Sequence, residues 1–369
     1  MVRSLIQAGA DVNALAFCSN RTVLDLAISL ANFTIVDILL EAGADVNNPI
    51  AIELGASALE EAVHKSNILL VQKLLSHGAN IDNPVLVASV FAPIRILLIL
   101  LSTHRTRHMS VFHGQGCHAL QLAILRNDIE KVEILLDFGI QVNWISMPVP
   151  GFQRRHLPDN AQIEYGISAL GIAIESMGKI SDSVVHLILQ RAGSVNLPAK
   201  VCPSTSAIYL AIEKSNARAV EILISFGANV NEASTWDLSR TPLQLAAEKA
   251  QLNVVQLLLK NTADINAPAF FKGGATALQL ASIRGDVEIL RVLLNAGGDL
   301  SASGAEIDGR TTVEGAAEHG RLDSLMLLVT WGAYNNMGFD DAHYRKARNL
   351  ARENGHLTVC RFLDSIINK

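Results

Sequence analysis

The sequence predicts an all-α solenoid: short antiparallel helix pairs, each joined to the next by an extended finger loop. Three observations point there. A helix-stopping phrase, "LLEAGADVN" at Leu39–Asn47, returns as "LIQAGADVN", "LLSHGANID", "LLDFGIQVN", "LISFGANVN" and "LLNAGGDLS". A helix-starting phrase returns with it, as "TVLDLA" from Thr22, "SALEEA" from Ser57, "TPLQLA" from Thr241 and "TALQLA" from Thr276. The interval from start to stop is nearly fixed. It is 21 residues from Thr22 to Gly43, Ser57 to Gly78 and Thr276 to Gly297, and stretches to 25 from Ser168 to Gly193.

Each element has a physical reason. Glycine suits a helix stop because the residue past the last turn adopts the left-handed region, where a Cβ clashes. Stops fall at Gly9, Gly43, Gly78, His104, Gly139, Gly193, Gly227, Thr262, Gly297 and Gly332. Thr262 is the strained member, since a β-branched residue resists positive φ. Serine or threonine at a start caps the first free N–H groups, and Pro242 fits a first helical turn. Twenty-one residues hold two short helices and a turn, and the remaining 13 or 14 form the finger. Full units therefore begin near Thr22, Ser57, Asn83, His118, Ser168, Ser206, Thr241, Thr276, Thr311 and Lys346, in one solenoid over residues 1–369. Residues 1–13 read as an orphan second helix whose first helix is missing, so the sequence is expected to be truncated or part of something longer. The apolar run Val85–Leu101 is shorter than the roughly 20 residues of a membrane span and contains Pro93 and Arg95. The register places it in the stack as a buried helix pair.

With a period of 34 or 35 and "RTPLQLAAEKAQLNVVQLLLKNTADIN" from Arg240, the chain resembles the ankyrin-repeat family along essentially its whole length. Its wording looks most like long ankyrin proteins of filamentous fungi. That resemblance implies a concave groove of first helices and fingers that grips other proteins. Glutamine or an acidic residue replaces the family's histidine in the start phrase, so the resemblance does not carry over the hydrogen bond usually made from there.

The remaining sequence argues against most chemistry. A net charge of −5 gives no footprint for nucleic acid or an anionic membrane. Four cysteines without a CxxC fit reduced thiols and an intracellular setting, cytoplasm or nucleus. His104, His108, His113, Cys117 and His118 crowd one finger, but His104 and His118 take stop and start positions, so neither a metal nor a cofactor is expected. Catalytic motifs are lacking, and no small-molecule substrate is evident.

Protein partners are what remains, of unknown identity. Exposed first-helix positions include Lys65, Arg126, Lys249 and Arg284. In the fingers, Phe17, Ile52, Ile163, Val201, Trp236 and Phe271 recur five residues before each start and are expected to stack finger on finger. Phe270, Phe112, Trp144 and Phe152 break that pattern, and exposed aromatics are typical interface anchors. The expected function is a non-catalytic interaction scaffold or adaptor. The alternative is the ankyrin portion of a larger transcriptional regulator or signalling receptor; an enzyme is the third possibility.

Overall fold

In the repeated start phrase, a hydroxyl residue stands three positions before a group that can return its hydrogen bond, and this pairing fixes where helices begin. Thr22–Asp25, Thr241–Gln244, Thr276–Gln279 and Thr311–Glu314 form reciprocal capping boxes, while Ser57 and Ser168 cap by accepting alone. The computed structural model describes residues 1–15, 21–48, 57–107, 116–145, 166–201, 204–232, 240–334 and 339–367. Two compact units emerge, Met1–Gly193 and Ser194–Lys369.

The first unit opens with α1 (Val2–Gln7), a second helix packed on α3. Pairs α2 (Val23–Ser29) with α3 (Phe33–Glu41), α4 (Ala58–His64) with α5 (Ile68–Ser76), and α6 (Asn83–Phe91) with α7 (Ile94–Arg107) follow. The last pairs are α8 (Cys117–Leu125) with α9 (Ile129–Asp137) and α10 (Ala169–Glu175) with α11 (Asp182–Arg191). The second unit begins with a small antiparallel hairpin, β1 (Pro198–Val201) and β2 (Ser204–Ser206). Its pairs are α12 (Ala207–Glu213) with α13 (Ala217–Ser225), α14 (Pro242–Glu248) with α15 (Leu252–Lys260), and α16 (Ala277–Arg284) with α17 (Val287–Asn295). Then come α18 (Thr312–Glu318) with α19 (Leu322–Tyr334), and α20 (Asp341–Glu353) with α21 (Leu357–Ile367). Within each unit, first helices pack on first helices and second on second. The start phrase explains this: its leucine or equivalent, such as Leu59, Leu120 and Leu243, is buried in the pair, and Ala62, Ala123 and Ala246 are fully buried where a larger side chain would hold neighbours apart.

The joint between paired helices repeats too. Nine residues after eight of the ten register starts the backbone turns left-handed, at Ala31, Ser66, Asn127, Ser215, Ala250, Gly285, Gly320 and Gly355. The next residue, such as Asn32, Asn67, Asp128, Asn216 or Asp286, caps the second helix.

Several register assignments need correction. His118 is no start: α8 begins at Cys117 behind the left-handed Gly116, and the imidazole is buried. Asp82, not Asn83, caps α6, because its carboxylate can accept from Val85 N–H at 3.1 Å. His104 does not stop a helix but is buried within α7. Gly332 likewise lies inside α19, and Lys346 inside α20, which starts five residues earlier. Val85–Leu101 forms the greater part of the pair α6 and α7, packed on α4, α5 and α8. Among the described residues no helix is long and apolar enough to cross a membrane.

The stop phrase does more than end a helix. Its asparagine, four residues past the glycine, reaches into the next repeat. Asn47 accepts from Asn80 N–H at 2.8 Å and donates to the Gly78 carbonyl at 2.9 Å. Asn196, Asn231 and Asn266 repeat the pair toward Asn229 and Gly227, Asp264 and Thr262, and Asp299 and Gly297. Thr262 indeed sits at φ 64°.

Two stability tests follow from this geometry. Thr262→Gly relieves strain on the order of 1–2 kcal/mol, less glycine's larger unfolded-state entropy. The urea midpoint is expected to rise, and a lowered midpoint would show that the left-handed threonine is not strained. Asn231→Ala breaks two exposed bonds that water can partly replace, so equilibrium unfolding should show a loss of about 1 kcal/mol. An unchanged value would remove the ladder's energetic role.

Candidate partner-binding surface

Glutamine in the start phrase turns out to hold the fingers. Gln244 Oε1 accepts from Thr241 N–H at 2.9 Å, while Nε2 donates to the Ala267 and Pro268 carbonyls at 2.9 and 3.1 Å. Gln279 does the same for Thr276, Ala302 and Ser303. Finger hydrogen bonds are therefore made without the histidine, since an amide can accept at one end and donate at the other. Gln121 donates to the Ile167 carbonyl at 2.9 Å, and Ala169 N–H to the Val142 carbonyl, closing the base of the long finger. Trp144 stands at that base, 40% exposed.

Phe270 is 44% exposed. Phe271, expected to stack between fingers, is 55% exposed, so that assignment is wrong. Fingers join here through backbone: Gly273 N–H donates to the Ile307 carbonyl at 2.9 Å and Ile307 N–H to that of Phe271 at 3.2 Å. A peptide bridge leaves both faces of the finger free, which is why neither phenylalanine is covered. Phe17, Ile52, Phe112, Phe152, Ile163 and Trp236 lie outside the described residues, as do His108 and His113 of the histidine-rich finger.

Lys65, Arg126, Lys249 and Arg284 occupy one structural position, eight residues past the start, where the first helix ends. A cation there meets the negative end of the helix dipole. Lys65 Nζ donates to the Ser29 carbonyl of the preceding first helix at 3.1 Å and lies 3.6 Å from Glu61. Arg126 lies over the Phe91 ring, 4.7 Å from its centroid. Residue seven of the repeat is often acidic, and the arginine before the start clamps it: Arg240 binds Glu248 at 2.6 Å and Arg310 binds Glu318 at 2.8 Å. Lys249 and Arg284 carry no ion pair among the described residues. Two members of the row went unnoticed in the sequence, Leu30, 77% exposed, and Phe91; the same eight-residue offset would have found both.

Chemistry of the catalytic kind is disfavoured where it looked nearest. Cys117 Sγ lies 3.6 Å from His118 Nδ1, but burial pushes the thiol up to about 11 and the imidazole below its ordinary range. A reactive pair needs both shifts reversed. Among the described residues no three histidine, cysteine or acidic groups gather as metal ligands.

Residues 170–269 match the model for ankyrin repeats in three copies, and residues 273–305 match the model for a single ankyrin repeat. The chain carries ankyrin repeats over residues 170–269 and 273–305. No curated protein matches it. The ankyrin match leaves out the stretches around Asp82, Gly116 and Gly332, where the structure departs from the register.

The finger clamp is testable at Gln279, which is fully buried. Gln279→Leu leaves the Thr276 N–H and two finger carbonyls unpaired, and denaturant unfolding should register a loss of about 1–3 kcal/mol. Full stability in that variant would mean the amide does not hold the finger.

Proposed function

We propose that the chain is a non-catalytic scaffold or adaptor that binds partner proteins through its first-helix ends and fingers. Ankyrin repeats are protein–protein interaction modules, which sets the class of ligand. One observation carries the specific reading. The arginine–glutamate clamps neutralise the carboxylates beside the row, leaving Lys249 and Arg284 as outward cations, while Trp144 and Phe270 stand exposed at finger bases and tips. Within the second unit, outward cations and an exposed ring suit a partner that carries both acidic and apolar residues.

Affinity capture followed by mass spectrometry, comparing the unaltered chain with variants, tests this. Trp144→Ala and Phe270→Ala should each weaken capture of the same partners by about 2 kcal/mol while leaving the melting curve in place. Lys249→Glu with Arg284→Glu should weaken it further and remove most of its salt dependence. A variant carrying all four changes that still captures the same partners equally well would sink the assignment.

A further inference from the structure

The bridge between the fingers of the second unit joins equivalent residues of successive repeats, Lys272 and Ile307, which are 35 apart. The same step from Ile307 reaches Ala342, but Ala342 lies in α20 and cannot extend a strand ladder. Among the described residues the outer edge of finger 305–309 is therefore unpaired. Glu306 C=O and Asp308 N–H correspond to the Phe271 and Gly273 groups that bond Ile307, and among the described residues they have no backbone partner. They border a cleft of about 540 Å³ between this finger and α20, whose lining includes Arg310, Glu314, His343 and Lys346. The finger is stiff: a Cβ added at Gly309 would lie 2.0 Å from Ala305 N, so its two arms cross at a distance only glycine allows.

Charge selects among ligands. The Arg310 guanidinium holds Glu318 through bonds of 2.8 and 3.1 Å, and Lys346 Nζ holds the buried Glu314 carboxylate at 2.9 Å. Glu306 and Asp308 are exposed and have no ion pair among the described residues, so the unbalanced charge at the rim is acidic. Ile307 beside them is also exposed and offers an apolar contact.

We propose that this cleft takes an extended basic peptide, which adds to residues 306–308 as a parallel strand in the place of the missing finger. The proposal rests on the interaction reading for its class of ligand, but on a different surface from Trp144, Lys249 and Arg284. Isothermal titration of the full chain with a blocked pentapeptide alternating lysine and valine should give saturable one-to-one binding that weakens with salt. Two analogues, N-methylated at odd or at even residues, separate strand addition from loose charge attraction. Only one set of N–H groups faces the finger, so one analogue should lose about tenfold or more while the other keeps its affinity. Glu306→Gln with Asp308→Asn should weaken binding and flatten its salt dependence; asparagine tolerates the φ of 58° at that position. Absence of saturable binding, equal behaviour of the two analogues, or unchanged binding by the double variant would each overturn the proposal. None of these outcomes bears on partner capture through Trp144 and Phe270, so the two readings fail separately.

Discussion

A left-handed turn leaves backbone groups pointing outward, and the asparagine reaching from the preceding repeat is what satisfies them. That single side chain supplies an acceptor for one N–H and a donor for one carbonyl, a combination that an ionised aspartate cannot match. Asn47, Asn196, Asn231 and Asn266 each make both bonds, and each is followed by a left-handed stop. Asp82 and Ser301 occupy the same place in their repeats, and there the next second helix runs past its expected end, through His104 and Gly332. A turn whose outward groups find no partner is worth less than another turn of helix, which satisfies its own carbonyls. In these four repeats the left-handed stop is braced by an asparagine 31 residues earlier, whereas Gly139, with His108 at that distance, makes the same turn at φ 90°.

This accounts for what was legible in the sequence. Starts and stops written in the full phrase, from Ser57 to Gly78 and from Thr241 to Gly297, stand where the 21-residue interval puts them. The errors fall where one half of a pair was read alone. His104 and Gly332 were placed by counting, without asking what would receive the turn. His118 was placed by its interval from Gly139, although an imidazole is a poorer cap than the backbone turn at Gly116. Lys346 was placed by its period, whereas Asp340, with its carboxylate accepting from His343 N–H at 2.9 Å, is the better cap and wins.

Side-chain burial in the fingers was less legible for a different reason. A recurring apolar residue implies a repeated environment, but it does not say whether side chains or peptides fill the space between repeats. Between Lys272 and Ile307 the peptides meet, and a peptide bridge has two faces, so Phe270 and Phe271 both remain exposed. Charge marks only part of the cationic row, whereas position in the repeat marks all of it. Leu30 and Phe91 share the offset of Lys65 and Arg126, and the ring of Phe91 is what Arg126 lies over. Position in the repeat was the stronger signal, since it fixes location whatever the residue type.

Recognition and stability are separated within each repeat. Leucine, alanine and the capping pair face the neighbouring helices, glutamine ties down the finger, and asparagine ties down the turn, leaving the helix end and finger tip with few structural duties. Lys249 and Arg284 can therefore carry unpaired charge, and Phe270 and Phe271 exposed rings, beside a core whose residues are buried almost completely. The same division explains the last repeat. Glu314 replaces the glutamine that elsewhere donates to the following finger, and a carboxylate has no proton to give, so its partner is the ammonium of Lys346 instead. α20 begins where a finger would otherwise run, and among the described residues the edge of finger 305–309 has no backbone partner.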